Sequence, residues 1–480
     1  MTRSESGDRA SSTHSEPARR TLTGTASTAG PSRRRFLAAA GAASVIGLAG
    51  CVGGGDDGSG SVSPDDLDVA PDELEVDEIN VLAEGVADNL VLAEMSDRFE
   101  DEYGVTVNWT DFGYEQTQEE ASNQVAADES AYDVMTIDTY WVGDFALGEN
   151  LLPLDSLIGR SDVVDSDNYL EEVWDTVAHF EGTTWTIPFW QWTLGAGYRE
   201  DLLQDDEFAA QYESEFGEDL QSGTESVSAY ADMTVNITEM TGGDVHGAAL
   251  MGQSGTKAND QWLGLFQGKG GTFIDEEGNP VYGDYRQEAI EATEDWIRII
   301  HDGGPDGSGS WGFPEVSEHV GRGDGFSAIN YNIFYVNMNN ALSENTENGQ
   351  IKQYDTPGGS PAVGSWSLGI PANLSEERAQ AAWTYIQWAN SFEMRKQRIL
   401  NGGSPVCYDT LDDDEVVESN PLLWENLEEL ITGGKSISKY PGALQANTRN
   451  GEELSAALAG GKSVEDAIDA GIEAVENAME

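Results

Sequence analysis

Residues 79–138 read INVLAEGVADNLVLAEMSDRFEDEYGVTVNWTDFGYEQTQEEASNQVAADESAYDVMTID. The opening Ile79-Asn-Val-Leu-Ala has the apolar character of a strand. Asn89 then stands where a helix cap belongs, and Leu90, Val91, Met95 and Phe99 fall on one helical face before Gly104 stops the helix. Val105-Thr-Val-Asn-Trp109 alternates as a half-buried strand. Residues 115–128 read as a helix, Asp133-Val-Met-Thr-Ile137 as a third strand, and a helix starts near Tyr140. This β-α-β-α-β order predicts a parallel, doubly wound α/β sheet. Ligands of such sheets sit beyond the carboxyl ends of the strands. Those ends are Glu84, residues 112–115, and Asp138 to Trp141.

Upstream, residues 32–51 run SRRRFLAAAGAASVIGLAGC. Arginines, a short apolar run and small residues before a cysteine mark an export signal rather than a structural element. The apolar run has about 15 residues, short of the roughly 20 that span a bilayer. The segment resembles a lipoprotein signal of the twin-arginine type. That resemblance implies removal of residues 1–50, lipid on Cys51, and a folded body held at the outer face of the cell membrane. Residues 51–77, rich in Gly, Ser, Pro and acids, read as a solvated tether reaching roughly 30 Å.

Composition bounds the surroundings and the partners. The chain of 480 residues has a formal net charge of −64. Beyond residue 50 there are 17 basic residues against 85 acidic ones. Such self-repulsion is severe in dilute buffer, whereas in molar salt the Debye length shrinks to about 3 Å. The excess of carboxylates therefore points to a protein of saline surroundings. A disordered acidic chain is excluded by 39% hydrophobic residues and 13 Trp. Nucleic acid is excluded as a partner by charge. With Cys51 lipidated, Cys407 has no disulfide partner. The length suits two domains.

Farther along, residues 179–189 read as a strand pair turning at Glu181-Gly182, and helical patterns follow at 226–241 and 284–301. A strand covers 325–332, a helix capped by Ser375 comes after 364–371, and a last helix opens at Ser463. Six segments in order carry a family resemblance: 99–107 (FEDEYGVTV), 133–155 (DVMTIDTYWVGDFALGENLLPLD), 187–202 (IPFWQWTLGAGYREDL), 325–331 (GFSAINY), 364–371 (GSWSLGIP) and 460–468 (GGKSVEDAI). Together they resemble the extracellular solute-binding proteins of carbohydrate ABC importers, the group of maltodextrin-, trehalose- and polyol-binding proteins. The resemblance implies two doubly wound α/β lobes joined by a multi-crossing hinge, closing on a sugar without altering it. It places crossings near 187–190, 329–333 and 368–372. It divides the chain into one lobe of 78–187 with 332–368 and another of 188–331 with 369–480. It also implies an ABC permease with a cytoplasmic ATPase as partner, a monomeric receptor, and neither cofactor nor catalytic residues.

A sugar offers an apolar C–H face and a rim of hydroxyls, so its site needs flat aromatic faces and fixed polar partners. Trp141, Trp190, Tyr331 and Trp366 are candidate platforms, and of Trp190 and Trp192 only one is expected to face the ligand. Glu84, Tyr114, Glu115, Asp138, Gln191 and Asn332 are candidate polar partners. Each has a plain structural alternative. Asp138 can cap the next helix, and Glu84 and Glu115 can be solvated acids. Gln253 and Trp262 are weaker candidates beside a glycine-rich loop. Trp296, Trp383 and Trp388 lie on helical stripes and read as core. A secreted carbohydrate-active enzyme is the rival class, but neither G-x-S-x-G nor H-E-x-x-H occurs, and no Cys/His spacing suits a metal. Among other solutes a polyamine suits the acids best, and a phosphate ester would need cations, of which Arg199 and Lys257 are the nearest. Sequons at Asn108, Asn236 and Asn373 complete the motifs.

Overall fold

A computed structural model describes residues 62–479 apart from 72, 223–225, 276–277, 360, 433 and 437–438. The export signal, Cys51 and most of the tether lie outside the described residues. The described residues form one compact unit.

The opening segment folds in the expected order. Strands β1 (Glu78–Glu84), β2 (Thr106–Phe112) and β3 (Val134–Asp138) are joined by helices α1 (Ala87–Met95), α2 (Asp97–Tyr103) and α3 (Tyr114–Val125). β1 pairs in parallel with both β2 and β3, as crossover helices require. The first helix is broken at Ser96 and begins before Asn89, which is buried and does not cap it; Leu90 is exposed. A short helix α4 (Val142–Leu147) follows β3.

The sheet then becomes mixed. The 14-residue strand β4 (Thr186–Arg199) is buried throughout and runs through the middle of the molecule. Its first part pairs antiparallel with β7 (Ala362–Gly369), and its last part with β5 (Ser327–Tyr331) and β6 (Ile351–Tyr354). β7 in turn pairs antiparallel with β3. Among the described residues the sheet has eight strands, in the order β2-β1-β3-β7-β4-β5, with β6 also on β4 and β8 (Lys435–Ser436) on β7. The hairpin at Glu181-Gly182 forms as expected, both residues at positive φ.

Around the second half pack helices α5 (Thr256–Gly268), α6 (Arg286–Arg298), α7 (Phe313–Gly321) and α8 (Asn332–Asn345), with α11 (Ala443–Leu458) and α12 (Val464–Met479). Asn450 of α11 donates to Asn259 of α5 at 2.8 Å, and Arg286 pairs with Asp469 of α12 at 2.5 Å. The helices α9 (Glu376–Ala389) and α10 (Phe392–Leu400) instead cover the first half. Tyr385 meets Ser96 at 3.1 Å, and Arg378 binds Asp133 at 2.7 Å.

These contacts correct the expected division of the chain. Residues 332–354 pack beside α7 and β4, through Asn345 on the Gly321 carbonyl, Tyr335 on the Gly197 amide and the pairing of β6 with β4, not beside β1–β3. Residues 373–411 pack on the N-terminal half. The tether also docks earlier than expected. Leu67 is buried, Arg160 binds the carbonyls of Pro64 and Leu67, and Gln380 and Gln387 hold Asp68 and Val69. Apolar burial of one leucine and these hydrogen bonds outweigh the polar composition that suggested a free coil.

Trp296, Trp383 and Trp388 are core, as their helical spacing suggests, and Trp262 joins them, stacked on Phe266. Cys407 is a buried free thiol, and burial pushes its pKa up to about 12. The amides of Asn108, Asn236 and Asn373 are each hydrogen-bonded within the fold.

Candidate functional site

Three strands present one row of side chains. In register, Asp138 at the end of β3 lies beside Trp366 of β7, which lies beside Trp190 of β4. The indoles of Trp190 and Trp366 stack with centroids 5.8 Å apart and planes 8° apart. Tyr114, the first residue of α3, meets Trp366 edge-on and donates a 2.6 Å hydrogen bond to Asp138 Oδ2. Trp141 packs behind them against both Tyr114 and Trp366.

This row forms one wall of a cavity of about 250 Å³, closed by Trp192 and Tyr331 from β4 and β5, Phe313 of α7, Phe334 of α8, and Lys257 and Asp260 of α5. Glu84, Tyr140 and Thr256 complete the polar part of the lining. Tyr331 donates to Asp260 Oδ2 at 2.9 Å, and Tyr140 reaches its Oδ1 at 3.3 Å. The latter bond links the N-terminal sheet to α5. α5 owes its seat to Gly451: a Cβ there would lie 1.9 Å from the Gly255 carbonyl, so only glycine lets α11 press against the start of α5.

Of the expected site residues, Glu84, Tyr114, Asp138, Trp190, Tyr331 and Trp366 line the cavity. Four do not. Glu115 is exposed on the first turn of α3, because Tyr114 takes the inward position. Trp141 is 1% exposed and backs the wall without facing the space. Gln191 is fully buried on the other face of β4, accepting from the Thr193 hydroxyl at 2.8 Å. Asn332, at the start of α8, turns back to accept from the Thr193 amide at 3.0 Å. Both amides brace the central strand. The expectation that one of Trp190 and Trp192 faces the ligand is also corrected. Residues two apart on a strand share a face, and both line the cavity. The ring of Trp192 lies over Gly364, where a Cβ would come within 2.0 Å of it. Asn89 supports the wall: it accepts from the Trp190 indole at 3.1 Å and donates to the Glu84 carbonyl at 2.7 Å.

Lys257, Asp260 and Phe313 were not singled out as ligand contacts. Their approach depends on how α5 and α7 pack, which local patterns do not encode. Trp192 was legible from period-two alternation. Gln253 is exposed outside the lining, and Arg199 is spent on Asp201 and the Gly323 carbonyl.

Burial dominates the electrostatics. It raises Glu84 to about 7, against the pull of Lys257, and raises Asp138 to about 7, against the Tyr114 hydrogen bond. Asp260 is raised for the same reason and eased by Lys257, Tyr331 and Tyr140. Tyr114, Tyr140 and Tyr331 are pushed well up and stay neutral donors. Asp138 Oδ1 is buried with no protein partner. The site thus offers flat faces, hydroxyl donors and carboxyl oxygens around a small space. Among the described residues no cluster of three His, Cys, Asp or Glu side chains suits a metal ion, and no helix is long and apolar enough to cross a membrane.

A pH dependence follows. Glu84 and Asp138 hold protons in the fold that the unfolded chain releases near pH 4. Their contribution to stability is full below about pH 4 and is lost as pH rises through 7. Between pH 4 and 7 the native protein should therefore lose melting temperature relative to a Glu84→Gln, Asp138→Asn variant. Differential scanning calorimetry giving a constant gap between the two would contradict this assignment.

The chain matches the model of the bacterial extracellular solute-binding protein family over residues 84–395. It belongs to that family. A curated relative, a probable amino-acid ABC transporter periplasmic-binding protein of Sinorhizobium fredii, is 24% identical over 230 residues, 46% of this chain. The match spans only half of that relative's length. Among solved structures, a solute-binding protein of Agrobacterium radiobacter K84 in complex with ribitol is 17% identical, with a TM-score of 0.73 over 84% of this chain and 99% of that one. Maltose-bound MalE3 of T. maritima is 19% identical, with a TM-score of 0.69 over 83% and 99%. A solute-binding protein of Agrobacterium vitis S4 with bound D-mannitol is 19% identical, with a TM-score of 0.67 over 84% and 98%. At these identities the likeness establishes the mixed α/β fold of this solute-binding protein.

Proposed function

We propose that this solute-binding protein is the receptor of a carbohydrate ABC importer, holding one uncharged sugar or polyol and presenting it to a permease driven by a cytoplasmic ATPase. The observation that carries the reading is the Trp190–Trp366 stack facing the cavity beside Asp138, whose Oδ1 has no protein partner. An indole face suits the C–H face of a sugar, and a free carboxyl oxygen suits its hydroxyls. A volume of about 250 Å³ is that of roughly eight waters, room for a solute of monosaccharide size. Ribitol, D-mannitol and maltose in the structures of like fold support the same class.

The S. fredii relative's name suggests an amino acid instead. An amino acid's carboxylate would meet three carboxyl groups and a single lysine in this lining, which favours the uncharged solute. The working protein, in this reading, is exported by the twin-arginine route and held outside the cell by lipid on Cys51, with a surface charge adapted to brine.

Titration with ribitol, mannitol, glucose and maltose, followed by tryptophan fluorescence in saline buffer, tests the reading. A saturable change with a polyol or monosaccharide, and recovery of that solute intact, is expected. Saturation only by a neutral amino acid or by spermidine, or conversion of the sugar, would overturn it.

A further inference from the structure

Lys257 is the cation of the cavity lining, and its ammonium faces aromatic rings rather than a paired carboxylate. It lies 4.3 Å from the centroid of the Phe313 ring and 5.9 Å from that of Tyr114. Among the described residues it makes no hydrogen bond and no ion pair within 4.0 Å. Yet its charge acts on carboxyl groups of both walls, offsetting part of the rise that burial imposes on Glu84 of β1 and on Asp260 of its own helix. Three carboxyl groups and a set of aromatic faces otherwise make a site of the kind that attracts organic cations, since ring faces and carboxylates both favour positive charge. The position over the Phe313 face is already filled, by a side chain of the protein that shares the lining with Glu84 and Asp260.

We propose that Lys257 determines specificity: its ammonium is the resident counter-ion of the site, so that the cavity refuses organic cations and takes an uncharged polyhydroxy solute, whose oxygens accept from the three free N–H groups. The proposal rests on the reading of the cavity as the solute site and adds which charge class that site excludes. Removing the ammonium leaves Glu84 and Asp260 uncompensated beside the aromatic faces, and an alkyl diammonium ion of similar girth then finds the lysine's place open.

The test compares the native protein with Lys257→Met, which keeps the stem and loses the charge, and with Lys257→Arg, which keeps a charge. Lys352→Met is the control for general charge removal, because Lys352 rides over Tyr354 outside the cavity lining. Each is titrated with putrescine by calorimetry at one fixed salt concentration, after circular dichroism shows the fold retained; Lys257→Gln replaces the Met variant if that one fails to fold. Lys257→Met should bind putrescine on the order of tenfold tighter than the native protein, Lys257→Arg and Lys352→Met. Equal putrescine binding in all four proteins would overturn the proposal, as would tight binding to the native form. A native protein that holds no carbohydrate would defeat the receptor reading alone, since the putrescine comparison is decided without any sugar.

Discussion

Trp366→Ala is expected to weaken polyol or sugar binding about a hundredfold and to destabilise the fold by about 3–5 kcal/mol. Trp366 sits at the centre of the aromatic wall, 2% exposed, stacked on Trp190 and edge-on to Trp141 and Tyr114. Truncation removes one platform and releases the partner that keeps the other flat. It also leaves a hole beneath Asp138, whose hydrogen bond from Tyr114 depends on that ring packing. Fluorescence titration measures the first effect and urea unfolding the second. Trp366→Phe, which restores a flat face of smaller area, should recover part of both. If Trp366→Ala binds a polyol as tightly as the native protein, the wall is core and the ligand lies elsewhere.

Gly364→Ala is expected to lower affinity by more than about tenfold while costing about 1–3 kcal/mol of stability. Gly364 lies in β7 opposite Trp192 of β4, and its added methyl would sit 2.0 Å from the indole Cζ2 and 2.3 Å from Cε2. Both Gly364 and its neighbours are within a paired strand, so the backbone yields less readily than the ring. The ring is then pushed away from β7 toward the cavity that it lines beside Tyr331, whose centroid is 4.5 Å away. The substitution therefore shrinks the site from within without touching any polar group. Unchanged affinity in a folded Gly364→Ala protein would remove Trp192 from the lining. A Gly364→Ala, Trp192→Phe pair should regain affinity, because the smaller ring leaves room for the methyl.

Much of the N-terminal half was legible. Strand and helix periods at 79–138 are local, so the parallel β1–β3 arrangement and the strand ends at Glu84, Phe112 and Asp138 follow from pattern alone. Alternation also carried more than was drawn from it. Trp190 and Trp192 share a face of β4, and Gln191 must therefore point away, to brace Thr193. Of the neighbouring candidates Tyr114 and Glu115, only Tyr114 lines the cavity, because the α3 helix begins there and turns its first residue inward.

The sequence by itself determined the class of the fold, the order of its first strands, the aromatic and acidic character of the site, and the surplus of negative charge. Each is a property of neighbouring residues or of composition. Only the tertiary structure decided that Lys257, Asp260 and Phe313 close the cavity from the far side, and that 332–354 and 373–411 pack opposite to the expected division. Those outcomes depend on close approach between residues hundreds of positions apart, such as Gly451 on Gly255 and Arg378 on Asp133. Helix-to-helix seating is set by shape and pairing across the whole core, which no local period records.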